Sequence, residues 1–156
     1  DNGDSEYKRH RRCLLLRTSL CSIVRHLKWK QGDSAMANDD KRQKGREIVG
    51  KLFKDGPVGE MIPMPKRFRR FTVDHVFGEI WQGENMPIEE RSLITCAMLV
   101  SLNREDEMRV HFTGAKNLGH PREKIEELII HAAHYAGWPA AVSGFRALAD
   151  VWPSEE

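Results

Sequence analysis

Apolar residues along this chain recur at intervals of three and four, in blocks punctuated by proline, glycine and asparagine. That spacing marks amphipathic helices. The first block sets Ile48, Val49, Leu52 and Phe53 on one face after Asp39-Asp40, and Asp55-Gly56-Pro57 stop it. Gly45 and Gly50 weaken this helix by about 1 kcal/mol each, so it needs packing to persist. Residues 56–65 hold three prolines and two glycines and read as a loop. A second helix is predicted from Pro65 or Lys66 to about Gln82, with Phe68, Phe71, Val76, Phe77, Ile80 and Trp81 as its apolar contacts.

Pro87 falls in the first turn of a third helix, followed by Glu89 and Glu90 where negative charge is favoured. Leu93, Ile94, Ala97, Met98, Val100 and Ser101 give that helix an apolar, close-packing surface. A fourth helix is expected from Arg104 to Leu118, with Gly119 as a left-handed cap. Pro121 opens a fifth that ends at Ala136 before Gly137, and Trp138-Pro139 start a sixth running to about Trp152. The alternation of a half-buried strand is sustained nowhere. The expectation is an all-α fold, a single domain of about six helices with short connections and antiparallel neighbours.

Length and charge adjust this picture only slightly. A chain of 156 residues suits one domain with a real core. Its net charge of +2 is unevenly spread: residues 1–35 carry eight Lys/Arg against four Asp/Glu, leaving −2 on the rest. Residues 1–35 are therefore set apart as a basic arm, disordered or non-native, with Met36 as the natural start and residues 36–156 as the helical domain. No recognition fold accompanies the arm's charge, so nucleic acid is not expected as a partner. The apolar run at 13–27 is interrupted by Arg17 and lacks a small-residue cleavage site, so it is not read as a signal peptide. No run reaches the length of about 20 residues that spans a bilayer, and no membrane association is expected. Three cysteines without a CxxC pair argue against a disulfide scaffold or a thiolate zinc site. A reducing, cytoplasmic setting follows.

Candidate chemistry gathers on the third to sixth helices. His111 shares a line with Arg104, Glu107, Met108, Ala115 and Leu118, which places it on an interior seam or pocket wall. Glu127, His131 and His134 follow at i, i+4 and i+7, a spacing that a metal site can use. The tilt of the stripe favours His131 inward with Glu127 and His134 toward solvent, and no metal is expected. Cys96 reads as a small buried hydrophobe. Lys66, Arg67, Arg69 and Arg70 form a cationic cluster, either a solvated face or a receiver of carboxylate.

Five stretches occur in succession: Arg91-Ser92-Leu93-Ile94-Thr95; Leu102-Asn103-Arg104-Glu105; His111 followed by Gly119; Pro121-x-Glu123-x-Ile125; and His131-x3-Tyr135-Ala136-Gly137-Trp138-Pro139. Together they resemble the landmarks of the carboxymuconolactone decarboxylase family, over about residues 45–152. The resemblance implies the alkylhydroperoxidase-like helical fold, assembly into homotrimers or homohexamers, and active sites near subunit contacts. In the related peroxidase branch a CxxC pair precedes the equivalent of His111, whereas here Arg104 and Glu107 stand there, and Ser92 holds the place of that branch's relay glutamate. Without a thiolate, peroxide reduction is not expected.

The activity so implied is decarboxylation, without metal or organic cofactor, of a small carboxylated lactone, 4-carboxymuconolactone to 3-oxoadipate enol-lactone. His111, His131 and Arg91 are the expected catalytic residues, with Tyr135 and Trp138 walling the substrate pocket. Which histidine donates to oxygen and which to carbon stays open. The competing reading is a non-catalytic ligand-binding or scaffold oligomer of the same fold. Small residues on the third and sixth helices (Ala97, Ser101; Ala140, Ala141, Ser143, Gly144, Ala147) are the expected contacts between copies.

Overall fold

A computed structural model of the chain describes residues 31–54 and 64–154. The expectations for residues 1–30 and for most of the 56–65 loop lie outside the described residues. The elements are α1 (Gln31–Leu52), α2 (Lys66–Phe71), α3 (Ile88–Ser101), α4 (Glu105–Asn117), α5 (Arg122–Ala136) and α6 (Trp138–Val151). After α2 the chain continues through a wider π turn, Thr72–Phe77, and a short 3-10 turn, Ile80–Gln82. Among the described residues there is no strand, so the fold is all-α as the apolar spacing predicts. Contacts divide the chain after Ala37, and the unit Asn38–Glu156 holds the core and the site.

Local chemistry explains the boundaries. Pro87 caps α3 from just outside it, one residue earlier than expected, and Glu89 and Glu90 occupy the first turn. Arg104 and Leu118 flank α4 as its caps, and Gly119 takes the positive φ of 84° anticipated for it. Gly137 separates α5 from α6 with φ of 92°. Two elements differ from expectation by more than a residue. α1 begins at Gln31, well before Asp39-Asp40, because its early turns carry few apolar residues and give no periodic signal. The second helix does not run evenly to Gln82 but widens at Thr72.

Two apolar clusters form the core. The larger is built by α3–α6 from Cys96, Val100, Met108, Phe112, Ile125, Ile129 and Leu148. The smaller joins Ile48, Leu52 and Phe77, with Phe53, Trp81, Ile88 and Leu118 packed against it. The small residues of α6 serve the first cluster: Ala140, Ala141, Ser143, Gly144 and Ala147 are buried within the chain. Gly144 leaves room for Ile129 and Val100, at 3.3 and 3.5 Å from where a Cβ would stand. This face is spent inside the chain and is not open to another copy.

α1 meets the π turn backbone to backbone. A Cβ on Gly45 would lie 2.1 Å from the Val73 carbonyl oxygen, and one on Gly78 would lie 2.1 Å from that of Lys41. Only glycine fits at either place. Arg42 closes the same contact with a fork onto Asp74, both nitrogens 3.1 Å from the carboxylate oxygens. At the other end, Asn117 donates to the Leu52 carbonyl (2.8 Å), one of the carbonyls that the end of α1 leaves without a helical partner.

Candidate active site

His111 sits in the middle of α4, half-buried, where α4 faces the end of α1. Its ring stands edge-on to Phe53, with centroids 6.0 Å apart and planes at 81°. Phe53 in turn meets Phe77 at 6.1 Å, and Phe77 meets Trp81 at 5.4 Å, so one wall of the site is a run of rings drawn from three elements. The Nδ1 atom of His111 is buried and has no hydrogen-bond partner among the described residues. Burial in this apolar setting pushes the imidazole down to about 4, against a smaller upward pull from the Glu107 carboxylate one turn away. At neutral pH His111 is therefore uncharged, with one N–H to donate and one lone pair.

α3 supplies the floor. Ser92 is fully buried and its Oγ also lacks a partner among the described residues. Cys96, one turn on, points its Sγ at the His111 carbonyl oxygen (3.6 Å), and burial pushes the thiol up to about 12. It is a packing residue, as expected, and too poorly ionised to act as a nucleophile.

The other expected site residues lie elsewhere. Arg91 is half-buried near the start of α3, where Nε donates to the Met86 carbonyl (3.0 Å) and Nη2 to that of Gly83 (2.9 Å). Those bonds tie down the turn before α3, and among the described residues Nη1 has no hydrogen-bond partner. His131 is exposed on α5 with its ring 5.1 Å from that of Tyr135, which is itself 80% exposed. His134 donates from Nδ1 to the Ile130 carbonyl (3.1 Å), and its ring lies 6.3 Å from that of Trp138, 69% exposed. Within one chain, among the described residues, no hydrogen bond or ring contact joins His111 to His131, Tyr135 or Trp138. The sequence expectation placed His131 inward; it faces out because Ile125, Ile129, Ala132 and Ala133 take the buried stripe of α5.

Linear reading missed Phe53, Phe77 and Trp81 as site walls. Their helical spacing marks them as inward-facing, but spacing within one helix does not tell which histidine of another helix they meet. It also passed over His120, a buried structural histidine whose Nε2 faces the Glu89 carbonyl at 3.1 Å. Arg104 and Glu107, two turns and one turn before His111, form an ion pair of 2.7 Å.

Six α-helices among the described residues, with a half-buried, uncharged histidine on the fourth beside an aromatic wall, define the class. The chain belongs to the carboxymuconolactone decarboxylase family, whose model matches residues 66–150. It is 31% identical over 120 residues to the 4-carboxymuconolactone decarboxylase of Acinetobacter baylyi, covering 74% of this chain and 90% of that protein. It is 24% identical over 97 residues to the nitrosuccinic acid decarboxylase npaB of Metarhizium robertsii, covering 62% and 68%. Both relatives are named as decarboxylases, of different acids.

Proposed function

We propose that this protein is a decarboxylase acting without a cofactor on a small carboxylated lactone, converting 4-carboxymuconolactone to 3-oxoadipate enol-lactone. The observation that carries the reading is the uncharged His111, set against apolar rings with a ring nitrogen left unpartnered among the described residues. The names of the two relatives supply the reaction type, and that of the A. baylyi protein supplies the substrate.

In the reaction the bond between the ring carbon and its carboxylate breaks, and its electron pair moves toward the lactone carbonyl. The oxygen becomes an enolate, CO2 leaves, and a proton is then added to carbon. A neutral imidazole suits the first need: its N–H donates to the developing oxyanion in a setting where water competes poorly. It does not suit the second, because a group near 4 carries almost no donatable extra proton at neutral pH. His131 is accordingly assigned the delivery of the proton to carbon. Arg91, through Nη1, receives the substrate's remaining carboxylate while its other donors hold the turn at Gly83 and Met86.

Because His131, Tyr135 and Trp138 stand at the surface, the reading includes assembly: a neighbouring copy brings these residues to the pocket mouth. Exposed Ile94, Met98 and Leu102 form a stripe along α3 at steps of four, a second surface that a copy would cover. The test is the ultraviolet change of 4-carboxymuconolactone with the purified chain, together with CO2 release. Turnover at an enzymatic rate is expected. Failure with this lactone alongside turnover of another small acid would overturn the substrate; failure with every acid tried would favour a non-catalytic binding oligomer.

A further inference from the structure

Between α1 and the segment from α2 through the π turn lies an open groove of ≈ 510 Å³, which shares no residue with the surroundings of His111. Lys41, Arg67, Arg70, Phe71, Asp74 and Glu79 line it. Its acids are already engaged. Asp74 is held by the Arg42 fork and by Arg70 Nε (3.2 Å), which keeps its carboxyl below the usual range, the Arg42 hydrogen bond contributing most. Glu79 is met by His75 and by Lys41 (3.1 Å).

Arg67 differs from its neighbours. Its guanidinium lies over the Phe71 ring, 5.6 Å from the centroid, and it has no carboxylate partner among the described residues. Phe71 is itself 55% exposed, so part of its ring stays open to solvent beside the guanidinium. Among the described residues Arg70 engages Asp74 through Nε alone, so its Nη donors remain there for a ligand. The groove thus offers an aromatic face, a planar cation stacked beside it and a second guanidinium alongside.

We propose that this groove binds a small planar monocarboxylate, an aromatic or unsaturated ring acid, at a site separate from the His111 pocket. The ring stacks on Phe71 and the carboxylate takes the paired donors of Arg67 and Arg70. Charge decides between a carboxylate and a phosphate. The lining has three full cations against two carboxylates, a single net positive charge, and a dianion would stand beside Asp74 and Glu79. The volume lies within the range of small-molecule sites and accommodates one substituted ring.

Benzoate is the probe, followed by calorimetry and by amide chemical shifts of the intact protein. Binding on the order of a millimolar is expected for so small a ligand in an open groove. The shifts should centre on residues 67–79. Arg67→Ala, at an exposed position that folding does not need, should weaken it about tenfold, and Phe71→Leu comparably. Benzamide, with the same ring and no charge, should not bind, and inorganic phosphate should not displace benzoate. Binding should persist in His111→Gln, which separates this site from the proposed catalytic one. Unchanged affinity in Arg67→Ala, shifts confined to the neighbourhood of His111, or phosphate binding as tight as benzoate would each overturn the proposal.

Discussion

Phe53, the first residue past α1, stands edge-on to His111 at a centroid distance of 6.0 Å, and so one helix sets the solvation of a histidine on another. Phe53→Ala should admit water to the imidazole and raise its pKa from about 4 toward the ordinary value near 6.5. Titration of the His111 ring resonances by NMR measures this directly. The loss of a half-buried ring should also lower stability by about 2 kcal/mol, read from urea unfolding. If the imidazole still titrates near 4, the apolar wall is not what depresses it.

The same depression makes stability depend on pH. In the unfolded chain His111 gains its proton as pH falls through about 6.5, while in the folded chain it waits until about 4. Between those values the unfolded state binds more protons, so stability falls as pH falls, by at most about 3 kcal/mol. Above pH 7 the contribution is flat. Urea midpoints of the parent and of His111→Gln should converge or cross between pH 7 and 4, with the variant losing less. Parallel curves would show that the parent's loss has another source.

His111→Gln and His131→Gln should each reduce turnover about a hundredfold or more, since each removes one proton-handling or oxyanion-stabilising group. Their separation within one chain gives a sharper outcome. If a neighbouring copy supplies His131, mixing the two inactive variants should restore activity, to about a quarter of the parent for random exchange at equal amounts. Light scattering should show an oligomer at micromolar concentration, and Met98→Glu on the exposed stripe of α3 should weaken it. A monodisperse monomer with full activity would remove the shared site.

Two glycines in α1 should respond in opposite ways. Gly50 has nothing within 4 Å of where a Cβ would stand, so Gly50→Ala should raise stability by about 0.5–1 kcal/mol through helix propensity. Gly45→Ala gains the same propensity but drives a methyl to 2.1 Å from the Val73 oxygen. The helices must part, and a net loss of about 2 kcal/mol or more is expected. Melting temperatures of the pair decide it.

Much of the fold was legible because its punctuation is local. Pro87, Gly119, Pro121 and Gly137 act on the backbone within a residue or two of themselves, and each marks a helix end close to where it was expected. What escaped depends on partners far along the chain. Arg91 looks like a free cation in sequence until the Gly83 and Met86 carbonyls are seen to occupy it. The small residues of α6 suit a contact between copies as well as one within the chain, and only Ile129 and Val100 show which they make. Gly45 reads as a weakness in a helix, whereas the approach of Val73 makes it a requirement.

The π turn at Thr72–Phe77 confines its effect to its own residues. Such a turn holds one residue more than an α-helical turn and absorbs it locally, so the segments on either side face as they would in an uninterrupted helix. Arg67 and Phe71 before it and Phe77 after it therefore owe their sides of the helix to the flanking turns, not to the bulge. What the surplus residue sets is the contact with α1: the Val73 carbonyl against Gly45 and the Asp74 carboxylate under the Arg42 fork. Deleting one residue between Thr72 and Phe77 would strike that clasp first and leave the ring wall beside His111 facing as before.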